Sequence, residues 1–245
     1  MKRILVVGAT SAIAHEAAKL YAVQRSRFVL AGRDATRLAA VAADLTARGA
    51  ADAVVLAAPI QDTSTQAATW DAALGALGGL DAVLIAHGSL PDQSACEQSV
   101  DLTISEFNVN CLSVIGWATL AAAYFEREQR GCLAVIGSVA GDRGRPSNYV
   151  YGAAKGAVAL FLQGLRARLH KSGVAVVTIK PGFVDTPMTS HLTKNLLFAQ
   201  PAAVAADIHR AMEAGSDVIY TPWFWRWIML AVRLVPERVF KKLTL

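Results

Sequence analysis

Short apolar runs alternate with longer segments of helical periodicity along almost the whole chain. The apolar runs are continuous, which is typical of strands in a parallel sheet that is covered on both faces. Strands that alternate in this way with helices form a doubly wound α/β sheet. The pattern predicts strands at residues 3–7, 27–31, 53–57, 82–86, 132–137, 174–180 and 218–220, and helices at residues 11–24, 36–48, 63–77, 103–129, 149–171 and 201–214.

The composition supports one sizeable buried core. Hydrophobic residues make up 54% of the 245 residues and charged residues only 18%, which excludes a disordered chain. No stretch rich in Pro, Ser or Gly divides the chain, and no internal repeat is visible. We therefore predict one domain, in which residues 1–220 form the α/β unit and residues 221–245 form a C-terminal amphipathic helical extension.

The cysteines and the two termini bear on the cellular compartment. Cys96, Cys111 and Cys132 cannot all pair and show no C-x-x-C spacing, which is typical of a reduced cytosolic protein and predicts no metal site. The first residues imitate a signal peptide, but we favour a strand followed by a glycine turn. Residues 223–235 are too short, and carry too many charges, for a spanning helix of about 20 apolar residues. We expect a cytoplasmic protein that does not cross a membrane.

The net charge of +5 is concentrated in the C-terminal extension. Residues 221–245 contain five basic residues and one acid, so residues 1–220 are almost neutral. A nearly neutral body argues against a nucleic-acid-binding protein, which needs a basic stripe on the folded domain. The extension combines the apolar residues Trp223, Phe224, Trp225, Trp227, Ile228 and Met229 with the cations Arg226, Arg233, Arg238, Lys241 and Lys242.

This combination leaves two interpretations open. The extension could lie in a membrane interface, at the inner face of the membrane, with its cations near anionic lipid head groups. It could instead pack over the substrate cleft or against a second subunit, with the arginine stems lying along apolar surface.

The turn after the first strand has the character of a dinucleotide-binding turn. Gly8 suits a tight turn, and the helix that follows would present free backbone N–H groups to a diphosphate. Ala12 and Ala14 stand where two further glycines are expected, so an ordinary strand-to-helix turn explains the spacing equally well. The candidate diphosphate contacts are Gly8, Thr10, Ser11, Ala12 and Ile13.

The end of the second strand predicts which dinucleotide is bound. Arg33 would pair with a 2′-phosphate, whereas an acid there would accept a hydrogen bond from a free 2′-hydroxyl. We therefore expect a preference for NADP(H), and the neighbouring Asp34 leaves NAD(H) open. A solvated arginine at the start of a helix is the alternative interpretation of Arg33.

Three residues near the middle of the chain form the strongest candidate for catalysis. Tyr151 and Lys155 lie one helical turn apart on the same face, and Ser138 ends a predicted strand. A lysine ammonium beside a phenol lowers the pKa of the phenol, which could then exchange a proton with a carbonyl oxygen. The Ser138 hydroxyl could hold that oxygen. Taken alone, a Tyr-x-x-x-Lys pattern on a helix usually lies on the protein surface and has no catalytic role.

In combination, these features resemble the short-chain dehydrogenase/reductase family over essentially all of residues 3–220. The glycine turn, GSVAG around Ser138, YGAAK at residues 151–155 and KPGFVDTPM at residues 180–188 stand in the family order. The resemblance implies a Rossmann-type fold, an NAD(P)-dependent oxidoreductase and a homodimer or homotetramer built through long helices.

The resemblance also implies roles for individual residues. Tyr151 would be the acid/base, Lys155 would bind the nicotinamide ribose and Ser138 would orient the carbonyl. Asn110 would position a water in the proton relay. The remaining implied cofactor contacts are Ala86, His87 and Gly88 after the fourth strand, and Pro181, Gly182, Val184 and Thr186 after the sixth strand.

The sequence departs from the family pattern at three places. Alanines replace two glycines of the diphosphate turn. The block at residues 85–88 reads Ile-Ala-His-Gly where the family has two asparagines, an alanine and a glycine, and the acid that usually contacts adenine after the third strand is missing. His87 could be an extra acid/base, but we favour a neutral histidine that fills the space beside the ribose.

The substrate is less strongly indicated. Arg143 and Arg145, between Ser138 and Tyr151, could clamp a phosphate or be solvated, and His191 could contact substrate or be exposed. The last third of the chain is similar to decaprenylphosphoryl-2-keto-erythro-pentose reductases in SVAGDRGRPSNYVYGAAK, PGFVDTPMTSHL and the WFWRWIMLAVRLVPERVFKKL tail.

We accordingly predict an NADP(H)-dependent reductase that interconverts a ketone and a secondary alcohol. The first substrate to consider is a keto-sugar on a polyprenyl phosphate. A soluble carbonyl or 3-oxoacyl reductase is the alternative within the class. A dinucleotide-binding sensor or scaffold without turnover is the alternative from another class.

Overall fold

All seven predicted strands lie in one parallel sheet, as a computed structural model that describes residues 1–190 and 192–243 shows. The strand order is β3-β2-β1-β4-β5-β6-β7. The chain thus runs outward from β1 in one direction and then, from β4 onward, in the other. The strands are β1 (Arg3–Val7), β2 (Arg27–Gly32), β3 (Asp52–Ala57), β4 (Ala82–Ile85), β5 (Cys132–Ile136), β6 (Ala175–Pro181) and β7 (Val218–Thr221).

Helices connect the strands, and most of them agree with the sequence prediction to within a few residues. The helix predicted over residues 103–129 is wrong in one respect, because a π-helical turn, Asn108–Leu112, divides it. The helices are α1 (Ala12–Ala22), α2 (Ala35–Ala47), α3 (Thr63–Leu77), α4 (Gln93–Glu97), α5 (Val100–Phe107), α6 (Ser113–Glu128), α7 (Tyr149–Leu169), α8 (Pro201–Ala214), α9 (Trp225–Leu234) and α10 (Glu237–Phe240).

Helices cover both faces of the sheet, which explains why its strands are apolar throughout. Successive residues of β1 enter different cores: Ile4 and Val6 join one apolar cluster, and Leu5 and Val7 join the other. Helices α1, α2 and α8 close the first cluster, and α3, α6 and α7 close the second. The doubly wound α/β fold predicted from the sequence is confirmed.

The carboxyl ends of β1 and β4 meet where the strand order reverses. The two strands pair in parallel, with Val7 opposite Ile85 at the end of the ladder. In open α/β sheets, ligands bind in the crevice at this switch point. The segments that leave β1, β2, β4, β5 and β6 at this edge carry almost all the predicted site residues.

The C-terminal extension continues the same body. Helix α9 buries Trp225 and Met229 in a small apolar cluster with Val139, close to the end of β5. The stretch Val100–Glu128 is long and apolar enough to cross a membrane by length and composition alone. Half of its most apolar window is buried inside the molecule, which is usual for a core helix.

Candidate active site

Ser138, Tyr151 and Lys155 come together at the end of β5. The Ser138 hydroxyl accepts a hydrogen bond from the Ala140 amide at 3.1 Å and so caps a short 3₁₀ turn, Val139–Asp142. Helix α7 carries the other two side chains, with Lys155 Nζ 5.7 Å from the centroid of the Tyr151 ring. The sequence prediction that these three residues share one site agrees with this geometry.

Two glycines allow the serine turn to lie directly on α7. A Cβ atom at Gly141 would be 2.7 Å from the backbone nitrogen of Gly156, and one at Gly156 would be 3.0 Å from the carbonyl oxygen of Gly141. No side chain fits between these backbones. The close contact fixes the distance between the serine turn and the helix that carries the tyrosine and the lysine.

Burial controls the protonation of the tyrosine and the lysine. The pKa of Tyr151 is raised by burial, although a hydrogen bond with Ser138 acts in the opposite direction. Burial lowers the pKa of Lys155 to about 8, and its ammonium group donates a hydrogen bond to the carbonyl oxygen of Ile136 at 3.3 Å. The expected lowering of the Tyr151 pKa is therefore wrong, because desolvation of the phenolate outweighs the favourable interactions around it. At neutral pH the phenol keeps its proton.

Asn110 lies in the π-helical turn and is fully buried. Its carbonyl oxygen accepts a hydrogen bond from the Ser89 amide at 3.0 Å, and its amide nitrogen donates to Ser89 Oγ at 3.0 Å and to the Glu106 carbonyl oxygen at 3.1 Å. The Ser89 hydroxyl in turn donates to the Glu106 carboxylate. A π-helical turn is frequent at functional sites, and here it directs the asparagine toward the residues that follow β4.

Glu106 and Ser89 are the parts of this arrangement that sequence reasoning missed. Gly88 lies between Asn110 and Lys155, because a Cβ atom at Gly88 would be 2.8 Å from Asn110 Oδ1 and 3.3 Å from Lys155 Nζ. The only sequence signal for Glu106 was its position one helical turn before Asn110.

The backbone around Gly8 fits a dinucleotide. Gly8 has a φ of +83°, and a Cβ atom there would lie 2.7 Å from the backbone nitrogen of His87. The ends of β1 and β4 are thus in direct backbone contact at the switch point. Helix α1 begins at Ala12, and the side chain of Ser11 does not cap it, so the first amides of the helix face the turn without a side-chain acceptor.

The alanines of the turn have different environments. Ala14 is fully buried in the core between α1 and the sheet, so its methyl group fills space that a glycine would leave empty. Ala12 is partly exposed at the first position of the helix, and Ile13 is buried behind it. Thr10 and Ser11 are also partly exposed on the turn. Both alanines are therefore accommodated by the turn and the helix that follows it.

The segment that follows β2 at this edge of the sheet contains two arginines. Arg33 is exposed directly after β2. Asp34 caps α2 by accepting a hydrogen bond from the Arg37 amide at 3.0 Å. The guanidinium of Arg37 donates to the carbonyl oxygen of Thr10 at 3.4 Å, and a cavity of about 270 Å³ beside it is lined by Thr10, His15, Arg37, Ala40 and Val41. Sequence reasoning missed Arg37, whose signal was a second arginine about one turn beyond Arg33.

His87 is a neutral, buried side chain. Its Nε2 atom lies 2.8 Å from the hydroxyl of Ser113, and that hydroxyl donates its proton to the carbonyl oxygen of Val109 at 2.9 Å. Ser113 must therefore accept from Nε2, which carries the proton. Burial, Lys155 and Arg33 lower the pKa of His87 to about 3. The geometry favours the structural interpretation of His87 over an extra acid/base.

The two loop arginines have different roles. The guanidinium of Arg143 donates to the carbonyl oxygens of Val232 and Val235, both at 2.6 Å, and to the carboxylate of Glu237 at 2.9 Å. Neither interpretation of Arg143 agrees with these contacts, because its donors are engaged by the C-terminal extension and so are neither directed at a phosphate nor solvated. Arg145 is half-buried, burial lowers its pKa, and within the described residues its Nε atom has no hydrogen-bond partner.

The residues after β6 reach the same edge of the sheet. Pro181 ends the strand, and Gly182 packs so closely against the Trp225 indole that a Cβ atom would be 1.9 Å from its nitrogen. Val184 is buried, and Thr186 precedes a 3₁₀ turn, Pro187–Thr189. Ala86 is partly exposed beside His87. His191 lies outside the described residues.

No metal-binding arrangement accompanies these groups. Across residues 1–190 and 192–243, no group of three or more His, Cys, Asp or Glu side chains could hold a metal ion. Cys96, Cys111 and Cys132 are free and buried. Burial raises the pKa of Cys132 to about 12, so this thiol stays protonated and packs as a small apolar group.

Comparison with known proteins agrees with the geometry. Residues 2–197 match the family model for short chain dehydrogenases. The chain is 32% identical over 240 residues to an uncharacterized oxidoreductase of Mycobacterium tuberculosis, covering 98% of this chain and 96% of that protein. It is also 32% identical over 243 residues to an uncharacterized oxidoreductase of Streptomyces coelicolor, covering 99% and 96%.

A solved structure shares the fold. The short-chain dehydrogenase from Sphingobium yanoikuyae, determined in complex with NADPH, superposes with a TM-score of 0.82 at 22% identity, over 95% of this chain and 93% of that one. The crevice, the serine–tyrosine–lysine group and the matched family model together define an oxidoreductase. The chain belongs to the short-chain dehydrogenase family.

Proposed function

We propose that the protein is an NADP(H)-dependent reductase that interconverts a ketone and a secondary alcohol. The observation that carries this proposal is the convergence of Ser138, Tyr151 and Lys155 at the switch-point edge, with a phenol that keeps its proton at neutral pH. A bound nicotinamide dinucleotide supplies the hydride for reduction or accepts it in the reverse direction. The protein must therefore hold the carbonyl oxygen and supply one proton to it.

Each of the three side chains has one part in this proposal. Tyr151 Oη transfers its proton to the carbonyl oxygen as that oxygen gains negative charge. Ser138 Oγ donates a hydrogen bond to the same oxygen. The Lys155 ammonium stabilises the phenolate that remains. Asn110, held by Ser89 and Glu106, orders the path by which the phenolate regains a proton.

The preference for NADP(H) rests on charge at the adenosine end. Arg33 is exposed directly after β2 and the Arg37 guanidinium lies at Thr10, and a guanidinium pairs well with a phosphate. Asp34, the residue that left NAD(H) open, is engaged as the cap of α2. Gly8, Thr10, Ser11, Ala12 and Ile13 would hold the diphosphate. Ala86, His87 and Gly88 would flank the ribose, and Pro181, Gly182, Val184 and Thr186 would flank the nicotinamide.

We propose that the substrate carries an anionic group that pairs with Arg145. A half-buried guanidinium with an unpartnered Nε atom, on the loop between the serine and the tyrosine, favours such a ligand. The first substrate to test is a keto-sugar carried on a polyprenyl phosphate, in line with the sequence similarity of the last third of the chain. Soluble ketones and 3-oxoacyl compounds are the alternatives.

The same proposal has consequences for assembly and location. Ile104 of α5, Leu112 of the π-helical turn and Leu160 of α7 are exposed, and they favour a homodimer or homotetramer through these helices. A lipid-linked substrate would place the cytoplasmic protein at the inner face of the membrane. We also propose that the chain is one domain, in which the described part of the C-terminal extension, residues 221–243, packs beside the cleft.

Turnover assays with paired ketones test the proposal. The purified protein is mixed with NADPH or NADH and with matched neutral and phosphorylated ketones, and oxidation of the reduced nicotinamide is followed by its absorbance. We expect faster turnover with NADPH, and R145A should raise KM for the phosphorylated ketone about tenfold or more while leaving the neutral ketone unchanged. R127A, which removes an exposed arginine elsewhere, is the matched control.

Two outcomes would contradict this account in different ways. Equal effects of R145A on both ketones would remove the anionic substrate but leave the reductase. Tight NADPH binding with no turnover of any ketone would favour the sensor or scaffold instead.

A further inference from the structure

Helix α9 and the residues around it present an exposed apolar face. Trp225 and Met229 point inward and are 4% and 1% exposed, whereas Trp223 and Trp227 are 72% and 59% exposed. The exposed apolar residues of residues 223–243, which we call the tail face, are Trp223, Trp227, Leu230, Leu234, Val239 and Leu243. The inward residues hold the helix in place, so the tail face is a fixed surface of the folded protein.

Cations surround the tail face. Arg226, Arg233, Arg238, Lys241 and Lys242 are all exposed, and in the described part of the chain none of them forms an ion pair. The single acid of this region, Glu237, is engaged by Arg143 at 2.9 Å. Within residues 223–243 the cations therefore outnumber the acids, and the one acid there is already paired.

We propose that the tail face binds the surface of a bilayer that contains anionic lipids. Tryptophan rings favour the boundary between head groups and acyl chains, and arginine and lysine side chains reach the phosphates of the head groups. This combination of exposed indoles and unpaired cations complements an anionic interface in both chemistry and charge. The proposal does not depend on the identity of the reaction.

A second copy of the chain fits this surface less well. Two copies of a cationic face would oppose like charges across a twofold axis, with no acid available to pair with them. An acidic protein partner would match the charge, but it would not require two exposed indoles beside the cations.

The contacts that anchor α9 place the tail face next to the candidate active site. Trp225 packs against Gly182 after β6, and α9 also contacts the 3₁₀ turn that begins directly after Ser138. A bilayer bound to the tail face would therefore lie beside the cleft of the candidate active site. A ketone anchored in that bilayer could reach the cleft without leaving the lipid surface.

Co-sedimentation of the full-length protein with vesicles tests the proposal. We expect binding to vesicles of phosphatidylcholine mixed with phosphatidylglycerol, little binding to phosphatidylcholine alone, and loss of binding at high salt. W227S and the double variant R238E/K241E should each reduce the bound fraction several-fold. The matched controls are V23S and K171E, which change an exposed valine at the end of α1 and an exposed lysine on the turn after α7.

Further measurements distinguish lipid binding from misfolding of the variants and from self-association through this surface. Far-UV circular dichroism of each variant verifies that the domain is folded. Absence of sedimentation at low salt, equal binding to both kinds of vesicle, or unchanged binding of W227S and R238E/K241E would each overturn the proposal. A dimer that dissociates in these variants, without any vesicle binding, would assign the tail face to a second copy of the chain.

Discussion

The guanidinium of Arg143 lies 3.7 Å from the centroid of the Phe240 ring. Arg143 directly follows the 3₁₀ turn capped by Ser138, and Phe240 belongs to the last helix. The preceding residue, Asp142, accepts hydrogen bonds from Lys180 on β6 and from the Tyr220 hydroxyl on β7. The turn that begins at the candidate catalytic serine is thus fastened both to the sheet and to the C-terminal extension.

Removal of the Arg143 guanidinium should loosen the extension. In R143L, the carbonyl oxygens of Val232 and Val235 lose a charged donor, and we expect the free energy of unfolding to fall by about 2 kcal/mol. Chemical denaturation of R143L measures this change, with R127L as the control at an exposed arginine. Equal stability of R143L and the unchanged protein would show that the contacts of Arg143 do not hold the extension.

The adenosine-end arginines should determine the choice of cofactor. Because a guanidinium pairs with the 2′-phosphate but not with a 2′-hydroxyl, R33A and R37A should each weaken NADPH binding about tenfold and leave NADH binding unchanged. Fluorescence titration with both dinucleotides measures this difference. R48A, at the other end of α2, serves as the control. A parallel loss of affinity for NADH would indicate damage to the site rather than loss of phosphate recognition.

The rate of ketone reduction should fall as pH rises through about 8. Below that pH Lys155 is charged and Tyr151 is protonated, which is the state that donates a proton and stabilises the resulting phenolate. Above it, Lys155 loses its charge while the phenol still holds its proton, so the phenolate becomes harder to form. Single-turnover rates across this range measure the effect. A rate that rises steadily through pH 8 would contradict this assignment.

The neutral state of His87 should make the protein sensitive to acid. Its pKa is about 3 in the folded state and about 6.5 in the unfolded chain, so the unfolded chain takes up the proton first. The stabilisation is complete above about pH 6.5 and is lost as pH falls toward 3. Between pH 7 and about pH 4.5 we expect the free energy of unfolding to fall by about 2.5 kcal/mol, and this fall should be missing in H87N. Urea unfolding at both pH values checks this, and identical pH slopes for the two proteins would refute it.

The parts of the fold that sequence reasoning located correctly are those with a local signal. Strands covered on both faces appear as continuous apolar runs, and β1 was predicted as residues 3–7, the bounds it has in the structure. The π-helical turn at Asn108–Leu112 was not predictable, because its sequence, NVNCL, contains no Gly or Pro that would signal a break in the helix. The four-residue spacing of Tyr151 and Lys155 was enough to predict that their side chains share one face of a helix.

The remaining features of the site depend on distant residues or on burial. The contacts of Arg143 with the extension could not be predicted from the sequence, because Val232 and Glu237 are 89 and 94 positions away along the chain. Trp225 could not be assigned to the cleft, since its contact with Gly182 arises only when α9 folds back. The direction of the Tyr151 pKa was wrong for a related reason, because spacing shows a neighbouring lysine but not the loss of water around the phenol.

The most direct test of the account is the Y151F variant, measured for both NADPH affinity and turnover. This change removes the hydroxyl that donates the proton and leaves the ring in place. Ketone reduction should fall by at least about 100-fold, while the Kd for NADPH should change by no more than about twofold. Near-full turnover in Y151F would contradict the assignment of Tyr151 as the proton donor.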